Sequence, residues 1–164
     1  MRRLLVSTLA AALAAGTLAM TSAAGAHGND VPRAEVARVK AATAKYHSIA
    51  AAEADGYELL DVCFDSESGG MGYHYLKGVD GNLDPLAPEA LVYEAKGNST
   101  RLVAVEYIVP DSVSPSQPAT QILGQSLHHH PVLPLWVLHA WIWEPNPDGL
   151  FADFNPNVAA CPEG

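Results

Sequence analysis

Apolar positions change their spacing once along this chain. Between residues 32 and 55, Val36, Val39, Ala42, Tyr46 and Ile49 recur at steps of three and four, so they share one stripe and leave Arg33, Lys40 and Ser48 to solvent. Asn29 or Asp30 supplies a cap, Pro32 suits a first turn, and Asp55-Gly56 ends the segment; one long helix over 32–55 is predicted. Beyond Gly56 the period falls to two and the punctuation becomes Gly, Pro and Asn. Strands are predicted at 58–64, 72–76, 90–95, 101–109 and 135–143, with 90–95 and 101–109 joined as a hairpin through Lys96-Gly97-Asn98-Ser99-Thr100. Two proline-rich stretches, 110–134 and 144–164, carry no regular period and are expected to close over one end of the sheet. The fold class is therefore α+β: one long N-terminal helix packed on a curved antiparallel β-sheet in a single domain.

The first 26 residues stand apart from this pattern. Two arginines, an apolar run and small residues ending in Ala24-Gly25-Ala26 read as a signal peptide with an A-x-A cleavage site. The expected organisation is a signal at 1–26 and one globular domain at 27–164, secreted to the extracellular space or the periplasm. Loss of Arg2 and Arg3 with that segment moves the formal charge from −9 to −11, and no Lys/Arg stripe offsets it. Such a surface repels phosphates, which excludes nucleic acid and, after signal removal, membrane as partners. Two cysteines, Cys63 and Cys161, are expected to form a disulfide in an oxidising compartment; Cys63 as a metal ligand is the alternative.

Charge matters most where it interrupts apolar strands. Segment 101–109, RLVAVEYIV, is apolar on both faces: Leu102, Ala104 and Ile108 on one, Val103, Val105, Tyr107 and Val109 on the other. Glu106 falls on the first face. A buried carboxylate there needs a cation, a metal, hydrogen-bond donors or a proton, with Arg101 as the simplest partner. His139 repeats the oddity as the one ionisable side chain of strand 135–143. His74, in Gly69-Gly70-Met71-Gly72-Tyr73-His74-Tyr75, points to the same side as the bare Gly72, which predicts space for a ligand beside the ring. In Leu127-His128-His129-His130-Pro131, extended geometry sends His128 and His130 one way and His129 the other.

Imidazoles with one carboxylate are what a divalent transition metal takes. His74, Glu106, His128, His130 and His139 are therefore the candidate ligands, with zinc, copper and iron not separable from ligand type. The alternatives are a metal-free pocket for a small-molecule ligand and a disulfide-stapled structural or interaction protein with histidines on its surface. An N-terminal His27 exposed by cleavage would be a separate copper chelator. No catalytic template fits: Gly124-Gln125-Ser126-Leu127-His128 lacks the second glycine of a hydrolase elbow, and no H-E-x-x-H occurs.

At GGMGYHY, LDPLAPEALVYE, RLVAVEYIVP and LHAWIWEPNPDGLFADFNP the chain resembles an uncharacterised family of small secreted bacterial proteins. The resemblance implies one domain running from about residue 32 to Cys161 and carries no activity with it.

Overall fold

The computed structural model describes residues 33–97 and 99–162. The expected signal at 1–26, His27, the expected helix cap and Asn98 lie outside the described residues. Among the described residues, helix α1 (Arg33–Thr43), a 3-10 turn (Ala44–His47) and α2 (Ile49–Ala54) precede eight strands. These are β1 (Glu58–Ser66), β2 (Gly69–Leu76), β3 (Ala90–Lys96), β4 (Ser99–Pro110), β5 (Gln121–Ile122), β6 (Gln125–Ser126), β7 (His128–His129) and β8 (Leu135–Ala140). Six of them form a curled antiparallel sheet in the order β1-β2-β3-β4-β8-β7, and β5 and β6 form a separate small hairpin.

The α+β class with a curved antiparallel sheet stands, but the single long helix does not. Ser48 is extended (φ −96°, ψ 114°), and its Oγ accepts from Ala51 N to start α2 afresh. The cause lies outside the helix. The buried Tyr93 hydroxyl donates to Tyr46 O at 2.6 Å, taking a carbonyl that a continuous helix would use four residues on. Thr43 Oγ1 bonds back to Val39 O, which further weakens the ladder.

The helical segment covers one face of the sheet. Val39, Tyr46 and Ala52 pack there with Tyr75, Leu91, Tyr93, Val105, Tyr107 and Leu138. Ile122, Leu123 and Leu127 of the long loop join that core, so 110–134 does not close the same face as the C-terminal stretch along its whole length. The tail beyond β8 is instead stitched onto the first three strands. Gly70 bridges Asn155, Ala159 N donates to Glu94 Oε1 at 2.7 Å, and Cys161 is disulfide-bonded to Cys63 across 98 residues of chain. Gly70 has to be bare for this, since a Cβ would sit 2.2 Å from Ala159 O.

One irregularity revises the predicted strand faces, and another revises a predicted strand end. The β3–β4 register slips between Val92 and Tyr93, so Tyr93 faces Leu102 and Val103 is the extra residue. Leu102 thus turns to the helix-covered core, and Val103 joins Ala104, Val92, Trp141 and Val158 on the other face. The carbonyl of Val103 accepts from Trp143 N and Glu144 N, which draws the chain out of the ladder. As a result β8 stops at Ala140 rather than running to Trp143.

Candidate metal centre

The face away from the helices carries three of the buried polar residues, His74, Glu106 and His139. Strand pairing sets Glu106 of β4 opposite His139 of β8, while Leu76, Ala90 and Glu106 fall in one row across β2, β3 and β4. His74 lies one step along β2 from Leu76 on the same face. With strands about 4.8 Å apart and a rise of about 3.4 Å per residue, the backbones of His74 and Glu106 are roughly 12 Å from each other, diagonally across β3. The methyl of Ala90 leaves the gap open, and the two side chains meet over it with Nε2–Oε2 at 3.3 Å.

His74, Glu106 and His139 each offer a donor atom, and these atoms all lie within 4.8 Å of one another. All three residues are buried, at 4%, 7% and 1% exposure. The ring centroids of His74 and His139 are 5.8 Å apart; Phe64 meets His74 edge-on, and Trp141 is tilted against His139. Nδ1 of His74 and both ring nitrogens of His139 have no hydrogen-bond partner. Buried polar atoms are normally satisfied, so three orphaned nitrogens in one cluster mark a place built for something besides packing. This group could hold a metal ion.

Electrostatics already favour the ligating forms of Glu106 and His139. Burial pushes the Glu106 carboxyl up, but the hydrogen bond and charge of His74, helped by His139 and His130, outweigh it and leave it below the usual carboxylate range. Burial takes His139 down to about 4, against a partial pull upward from Glu106. At neutral pH the site therefore has an ionised carboxylate and at least one neutral imidazole, the forms that bind a cation. Tetrahedral donors around a metal at ordinary bond lengths sit about 3.4 Å apart. The His74–Glu106 edge has that length as it stands, at 3.3 Å, and the other donor pairs lie within 4.8 Å.

The loop histidines are placed differently. His128 pairs with Asp153 Oδ1 at 3.2 Å; the hydrogen bond raises the pKa of His128 and lowers that of Asp153. His129 faces Asp111 at 3.0 Å and packs edge-on to Trp136. Nδ1 of His130 accepts from Val132 N and Leu133 N, at 3.1 and 2.9 Å. That fixes the neutral ring with its proton on Nε2, so His130 presents a donor rather than a metal-binding lone pair. The structure thus brings together His74, Glu106 and His139, sets His130 beside Glu106 in the lining of a cavity, and turns His128 to Asp153 at the rim.

Other expectations about the neighbourhood change. Arg101 does not reach Glu106; it binds Glu94 and Glu144. Gly72 does not vacate space beside His74: it has φ +110°, and a Cβ there would meet Tyr93 O at 2.5 Å, so the close approach of β3 is what excludes a side chain. The space lies elsewhere, in a cavity of about 140 Å³ bounded by Leu60, Phe64, Met71, His74, Glu106 and His130 among others. It adjoins a larger cavity, with Glu106, His130 and Phe154 common to both, and Asp153 lines that second space. The tail residues Asp153 and Phe154 were not foreseen. The readable signal was the pair Cys63 and Cys161, which ties the tail to β1, next to the strand of His74.

No family model, curated protein or solved structure matches the chain. The site's own geometry carries its interpretation.

Proposed function

We propose that this is a secreted protein whose His/Glu pocket binds one divalent transition metal through His74, Glu106 and His139. The observation that supports this best is the set of unpartnered, buried ring nitrogens around an ionised carboxylate. A cation would take one of the two unpartnered nitrogens of His139, which otherwise costs about 1–3 kcal/mol of desolvation. Two imidazoles and one carboxylate suit zinc or iron(II) and leave coordination positions open toward the cavity. A metal held this way lowers the pKa of bound water and polarises an oxygen-bearing ligand. Secretion is supported by the N-terminal sequence pattern and by the disulfide, and among the described residues no helix is long and apolar enough to cross a membrane.

The test is metal analysis of protein purified without a histidine tag, by native mass spectrometry alongside elemental analysis. One equivalent of zinc or iron is expected, lost in His74→Ala and in Glu106→Ala but kept in His129→Ala. Stoichiometric metal retained by both site variants would overturn the ligand assignment.

A further inference from the structure

The cavity beside the metal donors has a chemistry of its own. At about 140 Å³ it is close to the roughly 150 Å³ of an engineered protein cavity that takes benzene, so it admits a single ring or a short alkyl chain. Its wall is apolar, with Leu60, Phe64, Met71, Ile108, Leu133 and Val137 contributing. Four lining residues are polar: His74 and Glu106, which meet at 3.3 Å, His130, and Asp65, whose Oδ2 accepts from Cys161 N at 2.7 Å. An occupant must therefore be apolar over most of its length and polar at one tip.

Charge decides the kind of tip. A divalent ion with one carboxylate and two neutral imidazoles carries a net charge of about +1, and an unneutralised charge in a buried site is costly. A monoanionic head group removes it. His130 supplies the second handle: its Nδ1 is committed to Val132 N and Leu133 N, which leaves Nε2–H as a donor in a side chain that lines the same cavity as Glu106. A carboxylate has one oxygen for an open metal position and one for that donor.

Resting on the metal reading above, we propose that the cavity binds a small hydrophobic carboxylate, aromatic or short-chain, with one oxygen on the metal bound by His74, Glu106 and His139 and the other on His130. Leu133 and Val137 then face the tail, and Asp153 and Phe154 line the adjoining cavity.

The experiment uses cobalt(II)-loaded protein, whose visible spectrum reports a change of ligand at the metal. Benzoate, acetate and benzyl alcohol are titrated in turn. Benzoate should alter the spectrum and bind at least ten times more tightly than acetate, which has the head without the tail, and than benzyl alcohol, which has the tail without the charge. Leu133→Trp, at a partly exposed loop position, should fill the cavity and weaken benzoate at least tenfold while leaving cobalt stoichiometry and the acetate response as they were. His130→Phe should weaken benzoate and keep cobalt. Failure to retain cobalt would overturn the metal reading and this proposal with it. Retained cobalt with benzoate no tighter than acetate would overturn the proposal alone, as would a Leu133→Trp protein that binds benzoate like the parent.

Discussion

Replacing His139 by leucine separates what the residue costs from what it is kept for. Leucine has nearly the volume of the imidazole and no polar atoms, and at 1% exposure the side chain is wholly enclosed. In the metal-free protein the substitution removes two unpartnered nitrogens, so the variant should be more stable than the parent by about 2 kcal/mol near neutral pH. The advantage should grow on acidification. Burial depresses the pKa of His139 from 6.5 to about 4, so between those values the unfolded chain holds a proton that the folded chain does not. The parent's stability from this group is complete above pH 6.5 and drains away as pH falls toward 4, about 3 kcal/mol in all. Some 2 kcal/mol of that loss appears by about pH 5, and His139→Leu should escape it. Urea unfolding of metal-stripped parent and variant, at about pH 7.5 and about pH 5, measures both effects. The same variant should fail to retain stoichiometric metal. A variant less stable than the parent at neutral pH, or a stability gap that does not widen in acid, would refute the view of His139 as a buried, unsatisfied base.

Other expectations follow from features away from the metal donors. Glu89 is buried with Oε2 accepting from Ile108 N at 3.2 Å; burial, with Asp80 and Asp84 adding to it, lifts its carboxyl to about 7. The folded state therefore favours the protonated acid, and stability falls as pH rises from 4.5 through 7. Glu89→Gln keeps the acceptor without the charge and should gain about 3 kcal/mol above that range, read from denaturation midpoints against pH. Removing the disulfide with Cys63→Ser and Cys161→Ser should cost about 4–5 kcal/mol for a loop of 98 residues, seen as a lower urea midpoint. Arg101→Met leaves the buried Glu94 carboxylate with Ala159 N and without its cation and should cost about 1.5–3 kcal/mol, while metal stoichiometry stays the same because Arg101 does not reach the site.

The sheet was legible because its central strands are apolar on both faces, a pattern that leaves few other structures open to them. Glu106 and His139 were legible for the same reason, as ionisable groups with no polar neighbour along their strands. The helix break was not, because its cause is the hydroxyl of Tyr93, 47 residues away from the carbonyl that it captures. The switched faces of Leu102 and Val103 depend on a single slip in pairing with β3, and residue alternation contains no record of it. His128 and His130 were assigned by extended-chain geometry. Their partners, Asp153 and two loop amides, come from turns that spacing cannot foresee. Spacing was thus a guide where the pairing kept its register and ceased to be one at a bulge or a turn.

The wall of the cavity that holds Phe154 is secured by a link whose halves are made far apart in time. A ribosome releases Cys63 long before Cys161, and until both thiols are present and an oxidant takes their electrons, the segment carrying Asp153 and Phe154 has only noncovalent anchors on β2 and β3. Completion of the cavity is therefore tied to the redox condition of the compartment in which the chain folds. In a reducing cytosol the ion would meet a loosely walled site, and a thiol reductant applied to the finished protein should hasten the ion's release.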